Sequence, residues 1–302
     1  MSYRILQKKY GNRDLLKSID INIGEEISDF LYLKDYGYFF ALPLNHCIAH
    51  SDFNGNINLN WAGNLNKKKL AEGCGSTSGL DFPSSMCYDK IGRKIYIVVQ
   101  NGKRVVSAEL KSGYINFIWG SSVSALIDVF FEDVNENVRF GNTNITIKDN
   151  GDIFWMNSEF DRCFSLCDGR FSIPFGCHKR GYSVSNNKNL CFFCTPSGMV
   201  SDGKKIYVSD TGNHCIRCID NDISIIAGNS NISGHESGAF PFNLLMSPSK
   251  LKYKNGIIYC IDENNIIYLS IKDKQIGTVY TGNNIMGIDI DDNKNLLILE
   301  KI

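Results

Sequence analysis

The sequence carries no net charge: its 302 residues hold 32 Lys and Arg against 32 Asp and Glu. Such a balance gives no general attraction to nucleic acid or anionic membrane, although it leaves room for a local basic patch. Also lacking is any apolar run near the roughly 20 residues that span a bilayer. The stretch from Met1 to Tyr10 has no continuous apolar core and does not read as a secretory signal peptide. These absences set the expectation of a soluble, cytoplasmic protein with no membrane attachment. Two catalytic motifs are missing as well. There is no Gly-x-Ser-x-Gly elbow and no His-Glu-x-x-His, so neither of those hydrolase designs is indicated.

What is present is globular in composition, with 43% hydrophobic and 21% charged residues. The length allows two domains, but single all-β domains also reach it. Eleven cysteines are many for a chain expected in a reducing compartment. They read most simply as small buried apolar residues. Cys191-x-x-Cys194 and Cys215-x-x-Cys218 have a spacing seen in some zinc sites. Residues three apart on one strand face opposite ways, however, so Cys215 and Cys218 are poorly placed to grip one ion. No metal and no cofactor are expected.

The stretch from Ser201 to Asn229 sets the pattern for the chain. Asp202-Gly203 is a turn pair, and a strand-like run through Tyr207 follows. Asp210-Thr211-Gly212-Asn213 is a second turn, and a later run stops at Ala227-Gly228. Both markers recur. Turn residues precede Tyr38, Tyr96, Phe154 and Tyr259, and β-like runs close at Gly63, Gly120, Gly176 and Gly282. From aromatic to closing Gly the separations in the five copies are 25, 24, 22, 21 and 23 residues. With a short strand ahead of each first turn, the unit is four antiparallel strands repeating every 52 to 58 residues. That is the signature of propeller blades.

A sixth copy is split. The chain ends after the second strand of that unit, while Tyr3 to Lys9 and Leu15 to Ile23 supply two unassigned strands at the other end. Pairing them closes the ring and removes the open edges. The expectation is an all-β, six-bladed β-propeller forming one domain over 1–302. Its blades lie near 25–63, 84–120, 143–176, 197–228, 248–282, and 283–302 completed by 1–24.

The best-preserved copy, Ile206-Tyr-Val-Ser-Asp-Thr-Gly-Asn-His-Cys-Ile-Arg217 followed by Ile225-Ile-Ala-Gly228, resembles the NHL repeat, named for an Asn-His-Leu signature. Leu44-Asn45-His46-Cys47-Ile48 with Trp61-Ala-Gly63 is a second similar copy. Asp262 and Asn265 match the Asp and Asn of the signature, and Asn157, Asp161 and Arg162 match with one residue inserted. Asp210, Asn213, His214, Asn45, His46, Asp262 and Asn265 are therefore expected to shape turns. An Asp at a strand end accepts backbone N–H bonds, and Asn adopts the left-handed conformation readily.

The resemblance implies three kinds of function. Propellers of this family include scaffolds for proteins, RNA-binding domains and a few enzymes, and similar propellers include metal-dependent lactonases. A channel hydrolase would need converging oxygen ligands, for which Asp29, Asp89, Asp289 and Asp291 are candidates by position. RNA binding would need basic residues with stacking aromatics. Lys67 to Lys69, His178-Lys179-Arg180 with Tyr182, and Arg162 with Phe160 are the local candidates. The favoured reading is a monomeric, non-enzymatic platform for a protein partner. Two long inter-blade connections and the loop between the second and third strands of the third blade would bring Phe130, Phe131, Phe160, Arg162, His178, Arg180 and Tyr182 together on one face. Aromatic residues and Arg dominate binding hot spots.

Overall fold

A computed structural model of the chain describes residues 1–9, 15–74, 77–118, 143–177, 179–183, 191–240 and 243–302. The chain begins with β1 (Ser2–Lys8) and β2 (Leu15–Asn22). The first blade is β3 (Asp29–Leu33), β4 (Gly37–Leu42), β5 (Cys47–Ser51) and β6 (Ile57–Gly63). The second is β7 (Ser85–Asp89), β8 (Lys94–Val99), β9 (Arg104–Glu109) and β10 (Ile115–Phe117). The third is β11 (Thr143–Ile147), β12 (Ile153–Asn157), β13 (Arg162–Cys167) and β14 (Arg170–Gly176). The fourth is β15 (Gly198–Ser201), β16 (Ile206–Asp210), β17 (Cys215–Ile219) and β18 (Ile223–Gly228). A two-residue strand, β19 (Gly238–Ala239), comes before the fifth blade. That blade is β20 (Pro248–Lys254), β21 (Ile257–Asp262), β22 (Asn265–Ser270) and β23 (Gln275–Thr281). The chain ends with β24 (Ile285–Ile290) and β25 (Leu296–Lys301).

Six antiparallel sheets result, and the architecture is a six-bladed β-propeller. The sixth blade has the order β2-β1-β25-β24. β1 runs antiparallel to β25 from Tyr3 opposite Lys301 to Lys8 opposite Leu296. The N-terminal strands thus complete the C-terminal blade, as the split repeat predicts. In the fifth blade β19 adds a fifth strand against β23, in a segment whose sequence reads only as a loop.

The chain divides into two compact units, Met1 with Ile23–Ile145 and Ser2–Asn22 with Thr146–Ile302. In the first unit β3 lies beside β7. The apolar faces of those two blades meet through Phe39, Ile48 and Trp61 from one and Ile95, Ile97 and Val106 from the other. In the second unit β15 lies beside β20, and β20 beside β24. Tyr207, Ile216 and Cys218 pack there against Leu251, Ile258 and Cys260. Alternation along each strand accounts for this, since residues two apart share a face and successive blades bury facing rows.

The third strands of four blades carry a register shift against the fourth at the same place. It falls after Ile48, Cys163, Ile216 and Ile266. A bulge of this kind adds local right-handed twist, which keeps each outer strand turned relative to its neighbours.

Candidate functional site

The loop ends of the second and third strands hold the residues that the sequence singles out. In the fourth blade β16 ends on Asp210, and a single 3-10 turn over Thr211–Asn213 leads to His214 in the left-handed region at φ 52°. The turn fastens segments on both sides. Cys194 N–H donates to Asp210 Oδ1 at 2.7 Å, and Asn213 Nδ2 donates to Asp210 Oδ2 and to the Gly181 carbonyl, each at 2.8 Å. On the other side Thr211 Oγ1 donates to the Pro248 carbonyl at 2.7 Å, and His214 Nδ1 donates to the Met246 carbonyl at 2.5 Å. A carbonyl only accepts, so Nδ1 of His214 carries the proton.

Arg217, two residues into β17, is fully buried. Its Nη2 lies 2.5 Å from Asp210 Oδ2. Nη1 donates to the Ser183 carbonyl at 2.9 Å and Nη2 to the Phe192 carbonyl at 3.0 Å. The guanidinium is stacked between the rings of Tyr182 and Phe193, 5.0 and 4.8 Å from their centroids. Burial pushes the Asp210 carboxyl up, opposed by Arg217, Asn213 and the Cys194 amide. A buried charge of this kind persists only when it is paired and hydrogen-bonded.

One residue along, Thr195 N–H donates to Asp161 Oδ1 at 2.8 Å. Carboxylates of the third and fourth blades therefore take successive amides of the segment that enters the fourth. Asp161 Oδ2 also accepts from Arg180 Nε at 3.2 Å. The Arg180 side chain is half exposed. Tyr182, whose ring rests on buried Arg217, is 41% exposed. Arg180 and Tyr182 thus form an outward-facing pair fixed from beneath. Arg162, the first residue of β13, is half-buried. Phe160 is buried, so this ring packs inside the third blade and presents no exposed surface. Phe130, Phe131 and His178 lie outside the described residues.

The remaining turn residues divide by blade. Asp262 ends β21 and accepts from the Met246 and Ser247 amides at 2.6 to 3.1 Å, and His235 Nδ1 lies 3.1 Å from it. The register sets Asn265 directly opposite Asp262 across a two-residue turn, where Cys215 stands opposite Asp210. Asn265 is therefore a strand residue and not the counterpart of Asn213. In the third blade Asn157 pairs with Arg162, so Asn157 holds the Asp210 position and Asp161 the His214 position without any insertion. In the first blade Leu42 holds the Asp210 position, Asn45 Nδ2 donates to Asn66 Oδ1 at 2.9 Å, and buried His46 takes the left-handed conformation at φ 57°.

The four acids proposed as channel ligands already accept protein donors. Asp29 receives the Phe30 and Met86 amides, and Asp89 those of Ile91 and Gly92. Asp289 receives the Ile290 amide, and Asp291 the side chains of Gln7 and Asn295. Among the described residues no three His, Cys, Asp or Glu side chains are grouped to hold a metal ion, the two Cys-x-x-Cys pairs included. No described helix is long and apolar enough to cross a membrane. Lys67, Lys68 and Lys69 are exposed, with Lys68 Nζ 5.2 Å above the Phe82 ring.

Sequence reasoning missed Arg217. The run Cys215 to Ile219 reads as an alternating strand, in which an Arg is expected to face water. Its signal was the pairing of an Asp ending one strand with an Arg on the next.

These features define a β-propeller in which acid-bearing turns fasten the third, fourth and fifth blades. Residues 193–219 match the NHL repeat, so the chain is a six-bladed propeller carrying an NHL repeat in its fourth blade. No curated protein matches the chain in sequence. Among solved structures it is similar to a protein of unknown function from Bacteroides thetaiotaomicron, with 12% identity and a TM-score of 0.59 over 94% of this chain. The chain spans 62% of the length of that protein. It is also similar to a chain of a nidogen–laminin complex, with 12% identity, a TM-score of 0.58, and coverage of 100% of this chain and 99% of that one. A gluconolactonase from Xanthomonas campestris has 10% identity and a TM-score of 0.56, covering 91% of this chain and 86% of that one. Likeness at these identities concerns the fold.

Proposed function

We propose that the protein is a non-enzymatic binding platform for a protein partner, and that it engages the partner through the connection between its third and fourth blades. The observation that carries this reading is the Tyr182 ring, exposed on one face and seated on the buried Arg217 guanidinium on the other. Arg180 stands two residues away, held by Asp161. Ordering a free side chain on binding costs about 0.5–1.5 kcal/mol, and a side chain already held avoids much of that cost. A pre-ordered Tyr and Arg on one exposed segment is the composition of an interaction hot spot. The same fold occurs in a chain of the nidogen–laminin complex, an assembly of two proteins.

The test is a photo-reactive aromatic residue placed at 182 in the full chain, followed by calorimetry with the captured protein after purification. Tyr182→Ala and Arg180→Gln should each weaken that binding by about tenfold or more in a chain whose circular dichroism still shows the folded propeller. Cross-links only to RNA, or an affinity indifferent to both substitutions, would overturn the reading.

A further inference from the structure

His46 and His214 hold the same turn position, yet their rings are wired oppositely. His214 Nδ1 donates to a carbonyl. His46 Nδ1 instead accepts the Phe82 N–H at 3.3 Å, so in this arrangement the His46 ring is neutral with its proton on Nε2. Asp81 Oδ1 lies 3.8 Å from the same nitrogen. That oxygen is buried and has no hydrogen-bond partner among the described residues. Asp81 is otherwise tied to Gln100, whose Nε2 donates to Oδ2 at 3.1 Å and whose N–H donates to the Asp81 carbonyl at 2.6 Å.

The backbone around this ring is held in an uncommon state. His46, Phe82 and Gln100 have φ of 57°, 48° and 51°. For a residue as bulky as Phe, the left-handed region is costly and persists only while surrounding contacts over-determine it. The contacts that hold Phe82 include its N–H bond to His46, an edge-to-face contact with the His46 ring at 4.7 Å, and Lys68 above its face.

We propose that His46 is a proton-operated latch. Neutral, it accepts the Phe82 amide and holds the entry to the second blade closed. Protonated, its Nδ1 donates to Asp81 Oδ1, the Phe82 amide loses its acceptor, and the strained segment Asp81-Phe82-Pro83 relaxes. Because Lys68 rests on Phe82, the exposed lysine-bearing segment from Asn64 to Cys74 loosens with it. The ligand-free latch is complete within the first two blades and does not depend on the binding reading above.

The charged groups acting on the ring are Asp81, which favours its protonation, and Lys68, which opposes it. Burial, the largest effect, acts together with Lys68 against Asp81 and holds the ring below the ordinary imidazole value. The latched form therefore takes up the proton less readily than an opened form does. The latch is intact above about pH 6.5 and is lost as pH falls below that value.

Hydrogen exchange on the full chain, corrected for intrinsic rates, tests this at pH 7.5 and at pH 5.5. In the wild type, protection of peptides covering residues 80 to 84 should fall at acid pH, approaching tenfold per pH unit where the ring titrates. His46→Asn keeps an acceptor near the Nδ1 position and tolerates the left-handed backbone, so its protection should not fall. Asp81→Asn removes the anionic receiver and should shift the loss to lower pH. Unchanged protection in the wild type, or an equal loss in His46→Asn, would overturn the latch. Should His46→Asn fail to fold, nitrogen-15 spectra of the wild-type imidazole decide: a protonated Nδ1 at pH 7.5 refutes the proposal, and a bare Nδ1 that titrates together with the Phe82 amide supports it.

Discussion

The carbonyl oxygen of His214 lies against the α-carbon of Gly228, so close that a Cβ on residue 228 would overlap it. The same contact joins His46 to Gly63 and Asp161 to Gly176, where a Cβ would lie 2.6 and 2.7 Å from the oxygen. In each pair the turn residue is left-handed and the Gly has φ between 83° and 88°. One strand ladder couples the two, since Gly228 pairs with Cys215, the residue after His214. Replacing Gly228 by Ala meets both a conformational cost of about 1–2 kcal/mol and a backbone clash. Gly228→Ala should therefore cost about 2–4 kcal/mol. Gly256→Ala, with φ 82° and open space around it, should cost only about 1–2 kcal/mol. Urea unfolding of the two variants measures the difference, and equal losses would show that the contact with His214 is unimportant.

That coupling explains why so much of the fold was readable from the chain alone. The closing Gly touches the left-handed residue of the turn after the second strand in the first, third and fourth blades, and that contact fixes how far the fourth strand runs before it ends. Closure was readable for a similar reason, because two orphan strands at one end matched two missing at the other. Side-chain environments between blades were harder to read. Arg217 looks like a solvent-facing strand residue, and only the three-dimensional arrival of Tyr182, Ser183, Phe192 and Phe193 turns it inward. Asn265 looked like a signature Asn because composition does not reveal a turn shortened to two residues. Phe160 and Tyr182 are both aromatic residues beside an Arg, and nothing local distinguishes the buried ring from the exposed one.

The Asp210–Arg217 pair is a strong candidate for non-additive energetics. Arg217→Met leaves a carboxylate buried without its cation, and Asp210→Asn leaves a guanidinium buried without its anion. Removing one partner of a buried pair costs about 3–5 kcal/mol, so each single variant should lose that much. The double variant should lose clearly less than the two losses combined. A thermodynamic cycle measured by chemical denaturation gives the coupling, and strictly additive losses would mean that the pair is not a unit. Arg217→Met should also free the Tyr182 ring, visible as faster ring flipping by NMR.

The cysteines should separate sharply by reactivity. Burial pushes the Cys47 and Cys215 thiols up to about 12 and raises those of Cys163 and Cys260 as well. Thiolate is the reactive form, so these four groups are both hidden and protonated at neutral pH. Cys74 is exposed. Iodoacetamide at pH 8 should modify Cys74 in the native protein and reach the other four only after denaturant is added. Mass spectrometry of the labelled peptides reads the order, and native labelling of Cys47 or Cys215 at the Cys74 rate would contradict their packing.

Deleting residues 1 to 24 should unmake the sixth blade. β1 supplies the partner of β25 along six consecutive residue pairs. Leu6 of β1 packs with Ile261, Ile288 and Ile298 in the core shared with the fifth blade. Without β1, the backbone groups of β25 form an open edge, and Leu297 and Leu299 lose the strand beside them. Open apolar edges recruit other chains. A loss of several kcal/mol in a chain of this size lowers the melting temperature by roughly 5 °C or more. The truncated protein should therefore melt earlier and associate with rising concentration, as seen by calorimetry and light scattering. A synthetic peptide of residues 1 to 24 added in trans should recover part of the lost stability, because the missing element is a strand whose partner edge persists. If the truncated chain melts where the full chain does and stays monomeric, β1 is an accessory strand and the blade is stable without it.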